Sequence, residues 1–181
     1  MRITGGILGG RSIFVPPGII RPAMDRMRES LFSILGDLSG KSFLDIFSGS
    51  GIIALEAASR GAKYVEAVEM DPLKRKTLLE NVQISPVRIH CRFMSAELYV
   101  KRAAKNKTRA FDFIFLDPPF PYRFKMELIG SIANSSLMGD ASLLFIHLPR
   151  EDSEEAPPQG LILEDSRKYG RSVVNFYRFS S

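Results

Sequence analysis

The chain has no tryptophan, a single cysteine and only two histidines among its 181 residues. Cys91 alone cannot close an intramolecular disulfide or build a cysteine-rich metal site, so the sequence reads as that of a reducing compartment, with the cytoplasm as the expected location. His90 and His147 lie inside apolar runs with no second His or Cys at ligand spacing. Both read as core or strand-end residues, and no metal is expected. Long hydrophobic stretches are also missing: runs such as Leu143-Leu144-Phe145-Ile146 fall far short of the roughly 18 residues a membrane-spanning helix needs. The opening Met1-Arg2-Ile3-Thr4-Gly5-Gly6 lacks the apolar core of a secretory signal. Nor is one sign of charge absent. Lys and Arg number 25 against 20 Asp and Glu, a net +5 that suits a polyanionic partner without demanding one.

What is present has the length and balance of one globular domain. Residues 2–15 alternate short β-type runs with Gly5-Gly6 and Gly9-Gly10, which predicts a small hairpin. Over 24–38, Met24, Met27, Leu31, Ile34, Leu35 and Leu38 fall at helical spacing, closing before Gly40. From residue 41 the chain alternates apolar runs (42–47, 64–69, 87–92, 111–116, 142–148) with helical stretches (52–60, 72–82, 96–104, 124–135). That alternation predicts a doubly wound α/β fold, because parallel neighbours need helical crossovers. The tail breaks the rhythm. Two consecutive strands, 161–169 and 172–179, turn at Gly170 and predict an antiparallel strand added to an otherwise parallel sheet. The expected organisation is a single domain, with 1–40 as an N-terminal extension and 41–181 as the core.

Two motifs carry chemistry. In Phe43-Leu44-Asp45-Ile46-Phe47-Ser48-Gly49-Ser50-Gly51, an apolar strand runs into a small-residue loop that opens a helix. Gly49 and Gly51 let the backbone approach a ligand, and a bulky residue at 51 is expected to block it. The position three past Gly51 is Ala54 and no Gly-Lys-Ser/Thr follows, which disfavours a pyrophosphate cradle and with it a nicotinamide dehydrogenase. Asp45 lies beside the glycines, and Glu69 ends the second strand, where a carboxylate can accept both hydroxyls of a ribose. Such a pair suits S-adenosylmethionine, which carries a ribose and an ammonium but no phosphate. A plainer reading stands beside it: a tight strand-to-helix turn with two carboxylates at strand ends.

The second motif is Phe113-Ile114-Phe115-Leu116-Asp117-Pro118-Pro119-Phe120-Pro121-Tyr122. Consecutive prolines fix φ and donate nothing, so the strand ends in a stiff corner where Asp117 and the Pro118 carbonyl are paired acceptors. An exocyclic amine of a nucleobase is a poor nucleophile because its lone pair is delocalised into the ring. Two acceptors on its hydrogens favour the pyramidal, attacking form, and Phe120 offers a face for the base. Asp117, Pro118 and Phe120 are the candidate catalytic residues of an N-methylation. Arg2, Arg11, Arg21, Arg26 and Arg28 crowd the first 28 residues, where arginine forks suit phosphates. Arg11, Arg21, Arg26 and Arg28, with Tyr122, are the candidate substrate contacts. The second basic run, Lys101 to Arg109, reads as a solvated helix end.

On these residues the sequence resembles the class I methyltransferases, and within them the bacterial RsmD-type family, which methylates a guanine N2 of 16S ribosomal RNA. The resemblance rests on Gly10-Arg11, Arg21-Pro22 with Asp25-Arg26-Met27-Arg28-Glu29, Asp45 to Gly51, Leu55-Glu56-Ala57, Glu69-Met70-Asp71 and Asp117-Pro118-Pro119-Phe120. It implies that Asp45, Phe47, Gly49 and Gly51 line S-adenosylmethionine, that Glu69 holds its ribose, and that Met70, Ser95 and Ala96 border its adenine. It further implies the 16S rRNA or small ribosomal subunit as partner of a monomeric enzyme. Two positions depart from the family pattern: Ala23-Met24 replaces a hydroxyl pair, and Ser95 stands where Asp or Asn is usual. The alternatives are a DNA adenine or cytosine N-methylase, for which no target-recognition span exists, and a catalytically silent fold that binds RNA.

Overall fold

The computed structural model describes residues 1–16 and 23–180, which form two compact units, Met1–Met94 and Ser95–Ser181. In the first unit, strands β1 (Ser42–Ile46), β2 (Tyr64–Val68) and β3 (Ile89–Arg92) are parallel, with β2 in the middle. Helix α2 (Ile52–Ser59) connects β1 to β2, and α3 (Pro72–Asn81) connects β2 to β3. Every residue of β1 is buried, as an interior parallel strand requires, and so is every residue of α2. Helix α3 starts where Pro72 occupies its first turn and the Asp71 carboxylate accepts from the Leu73 amide at 2.9 Å.

The predicted N-terminal hairpin is present but short: the Ile3 and Ile13 amides donate to the Arg11 and Met1 carbonyls and the Gly10 amide to the Ile3 carbonyl, and the pairing goes no farther. Residues 2 and 12 form one isolated antiparallel bridge, and between them lies a 3-10 turn, Gly6–Leu8. The reason is where the backbone donors go. The Thr4 amide donates to Glu56 Oε1 (2.6 Å) and the Leu8 amide to Ser59 Oγ (2.8 Å), both on α2, so these amides are not available to a ladder. Gly6, at φ +73°, lies so close to α2 that a Cβ there would stand 2.0 Å from the Ser59 carbonyl oxygen. Farther on, Asn81 of α3 bonds both the amide and the carbonyl of Phe14 at 2.9 Å. Helix α1 (Ala23–Leu35) ends three residues before the predicted 38, because Gly36 turns left-handed at φ +70° and its amide closes the last turn on the Phe32 carbonyl.

The second unit contains α4 (Ala96–Asn106), β4 (Phe111–Leu116), α5 (Lys125–Ala133), β5 (Met138–Pro149), β6 (Leu161–Tyr169) and β7 (Ser172–Phe179), with strand order β4-β5-β7-β6. Strands β4 and β5 are parallel across the α5 crossover, and β7 runs antiparallel to both β5 and β6. The single reversed strand expected from the tail is therefore β7. Strand β5 begins at Met138, earlier than the predicted 142, through a bulge that skips from Phe111↔Met138 to Phe113↔Leu143. Ser142 fixes the bulge by accepting from the Gly139 amide and donating to the Phe111 carbonyl. No helix among the described residues is long and apolar enough to cross a membrane.

Candidate active site

In the first unit, the loop after β1 is built around two carboxylates. Asp45 is buried, and its Oδ2 accepts from the Ser48 hydroxyl at 2.6 Å and from the Ala54 amide at 3.2 Å. The second bond satisfies one of the orphan N–H groups of the first turn of α2, which has no side-chain cap of its own because Gly51 stands at the N-cap. Glu69, just after β2, accepts from the Gly49 amide through Oε2 and from the Asp71 amide through Oε1, both at 2.8 Å. One carboxylate thus ties the first loop to the second. Phe47 (φ +67°), Gly49 (φ +57°) and Gly51 (φ +83°) all take the left-handed conformation. For Phe47 this is a strained choice of the kind that persists where the surroundings over-determine it.

The two glycines differ in role. A Cβ on Gly51 would lie 2.6 Å from Leu78 Cδ1 of α3, whereas a Cβ on Gly49 meets nothing within 4 Å. Bulk at 51 would press on Leu78 of α3, whereas Gly49 faces open space. The loop fits a ribose-bearing cation. It offers carboxylate oxygens that still have acceptor capacity after their amide bonds, an open glycine face, and the exposed Met70 side chain next to Glu69. Cys91, on β3, is half-buried and its thiol is pushed up by burial, which disfavours the thiolate form.

In the second unit, the chain leaves β4 at Asp117 and turns sharply, the Tyr122 amide donating to the Pro119 carbonyl at 2.8 Å. Pro118 is buried and Phe120 half-buried. The turn is held by a residue that sequence reasoning passed over. Lys125, only 5% exposed, donates from Nζ to the carbonyls of Phe120 (3.1 Å) and Tyr122 and to Asp152 Oδ2 at 2.7 Å. His147 of β5, expected as a core or strand-end residue, is buried as such, and its Nδ1 also lies 2.9 Å from Asp117 Oδ1. The register brings the two together: β4 and β5 pair up to Leu116↔Ile146, and each apolar run is followed by one polar residue, Asp117 and His147. Ser95 caps α4, accepting from the Leu98 amide at 3.2 Å, and Ala96 behind it is buried. The Tyr122 hydroxyl donates to Glu97 Oε1 at 2.6 Å; that bond holds the Glu97 carboxyl below its ordinary value, while burial and then Glu97 push the phenol up.

The predicted RNA-contacting arginines separate. Arg11 and Arg26 are exposed, and Arg21 lies outside the described residues. Arg28 is corrected. Its side chain is 0% exposed, bonded at 2.8 Å to both the Arg2 carbonyl and Asp25 Oδ1, and its Nε lies 3.6 Å from the equally buried Glu56. It is a structural cation of the first unit and has no surface to offer a phosphate.

A family model described as conserved hypothetical protein 95 matches residues 1–178. The chain belongs to this family. It is 29% identical to the ribosomal RNA small subunit methyltransferase D of Escherichia coli over 181 residues, covering 98% of this chain and 89% of that protein. A protein of the same name from Haemophilus influenzae is 27% identical over 91% of this chain and 87% of its own length. Among solved structures, "Putative methyltransferase yhhF from Escherichia coli" superposes with a TM-score of 0.88 at 27% identity, covering 99% of this chain and 98% of that one. Likeness at that level over nearly the whole chain establishes the mostly parallel, doubly wound methyltransferase fold expected from the motifs.

Proposed function

We propose that this chain is an S-adenosylmethionine-dependent methyltransferase of small-subunit ribosomal RNA, acting on the exocyclic N2 of a guanine. The observation that carries the reading is the Asp117 corner: a carboxylate at the end of a strand, bonded through one oxygen to His147 and followed by two prolines in a closed turn. Its relatives named ribosomal RNA small subunit methyltransferase D support the RNA substrate. When bound, S-adenosylmethionine supplies a sulfonium methyl open to attack by a nitrogen lone pair. Gly49, Gly51, Asp45, Phe47, Glu69 and Met70 would hold it, with Glu69 toward the ribose.

The chain's own contribution is to orient and desolvate the amine. Asp117 and the Pro118 carbonyl accept its two hydrogens, turning the lone pair outward, and the Phe120 ring stacks on the base. Asp117 Oδ2, accepting an N2 hydrogen, is also where the departing proton is held. A base inside folded RNA must be extruded to reach such a corner. The reading therefore favours RNA already shaped by ribosomal proteins.

The test is to incubate the protein and methyl-labelled S-adenosylmethionine with small ribosomal subunits, naked rRNA and DNA, then digest and identify the modified nucleoside. Label in N2-methylguanosine of the small-subunit RNA is the expected result. Label on adenine or cytosine, or on DNA alone, would replace this reading with that of the DNA N-methylases. Glu69→Ala checks the cofactor half separately. It removes the ribose acceptor and releases the Gly49 and Asp71 amides, and cofactor affinity measured by calorimetry is expected to fall about tenfold or more.

A further inference from the structure

We infer that His147 is the positioning residue of the transfer, a buried Nδ1–H donor that occupies Asp117 Oδ1 and so commits Oδ2 to the target amine. The inference rests on the function proposed above and goes beyond the Asp-Pro-Pro-Phe motif, to which His147 does not belong. Three observations carry it. His147 is 3% exposed, its Nδ1 is 2.9 Å from Asp117 Oδ1, and its Nε2 is buried without a hydrogen-bond partner among the described residues.

The tautomer follows from these facts. An ionised carboxylate only accepts, so Nδ1 must carry the hydrogen of the 2.9 Å bond. A hydrogen on Nε2 instead would be a buried N–H with no acceptor among the described residues, which is costlier than a bare buried lone pair. The hydrogen of this bond is therefore on Nδ1, and Nε2 lies buried with no acceptor among the described residues. The arrangement offers no onward proton relay through this histidine among the described residues: Nδ1 already carries the hydrogen of the Asp117 bond, and Nε2 has no hydrogen-bond partner there. What remains is geometric. The rigid strand pairing of β4 and β5 fixes the imidazole, and the imidazole fixes the rotation of the Asp117 carboxylate. Phe120 meets the His147 ring edge-on, 5.9 Å between centroids, so the group that stacks the base and the group that aims the acceptor brace one another.

Two measurements test this. In wild-type protein labelled with 15N, long-range 1H–15N spectra are expected to show His147 protonated at Nδ1 and bare at Nε2; an Nε2–H tautomer overturns the proposal. In methylation assays, His147→Leu, which fills the space without a donor, is expected to lower kcat about 10- to 100-fold with KM for RNA and cofactor affinity little changed. His147→Asn puts an amide N–H two bonds from Cβ, where Nδ1 stands, and is expected to recover most of that loss. A Leu variant within twofold of wild type, or a folded Asn variant no better than Leu, overturns it. If the Leu variant does not fold, the spectrum of the wild-type protein still decides. Absence of methyl transfer to any nucleic acid by the wild type would count against the proposed function, and the tautomer would stay measurable.

Discussion

Asp117→Ala is expected to abolish methyl transfer while leaving S-adenosylmethionine affinity close to wild type. The loss in kcat should be on the order of 10²- to 10⁴-fold, the range attributed to a positioned acid or base. Cofactor binding should survive because the residues assigned to it by the loop geometry, Glu69 and Gly49 above all, belong to the first unit and form no part of the Asp117 bond. The alanine has a second consequence. It leaves the buried His147 Nδ1–H with no acceptor, a cost of about 1–3 kcal/mol that should lower the melting temperature by several degrees. Asp117→Asn separates the two effects. Its amide oxygen can still accept from His147, which turns its NH₂ group toward the substrate amine, a donor facing a donor. Flipping the amide would force the histidine into the tautomer with a buried, unpartnered Nε2–H. The Asn variant should therefore melt near wild type and be as inactive as the alanine. Substantial turnover by either variant would remove Asp117 from the chemistry.

The strand–helix alternation, the reversed β7 and the Asp-Pro-Pro-Phe corner were legible because each is written in consecutive residues. Period, turn residues and prolines act locally, and local rules read them. The N-terminal hairpin was legible only in part, for the opposite reason. Gly5-Gly6 and Gly9-Gly10 with flanking β-formers read as a hairpin, and its extent was hidden because Glu56 and Ser59, some fifty residues away, take the amides of Thr4 and Leu8. His147 was hidden differently. A lone histidine in an apolar run resembles any core histidine, and only the register of β4 against β5 shows that it ends level with Asp117. Lys125 lies among the polar and aromatic residues of a loop leading into a helix, so nothing local announces that its ammonium is buried on two loop carbonyls and Asp152. The place of Gly51 in the loop was legible, but that its missing side chain also makes room for Leu78 of α3 depends on a helix some thirty residues on.

Arg28 is the most instructive of these, and it yields the largest expected effect on stability. In the sequence it lies between Asp25 and Glu29 on an amphipathic helix, the pattern of a solvated face. In the fold, it and Glu56 are both 0% exposed, and Glu56 also accepts from the Thr4 amide and from Arg60 Nε at 3.2 Å. Glu56 thus joins α1, α2 and the N-terminal segment in one charge cluster. Glu56→Ala should destabilise the protein by about 3–5 kcal/mol, since it leaves the buried Arg28 with only the half-exposed Asp25 as counter-charge, and Arg60 and the Thr4 amide without their buried acceptor. That is a large share of the roughly 5–15 kcal/mol by which domains are stable, and should lower the melting temperature by about 6–20 °C. The cost is one of imbalance, not of the pair's net worth. Replacing both partners together, Arg28→Met with Glu56→Met, should therefore recover much of the loss, with the Arg2 carbonyl and the Thr4 amide left to account for the remainder. Thermal melts of the wild type, the single variant and the double variant check the prediction. A Glu56→Ala protein melting within about two degrees of wild type would mean that Arg28 is not held as a buried cation, and would return it to the residues able to reach RNA.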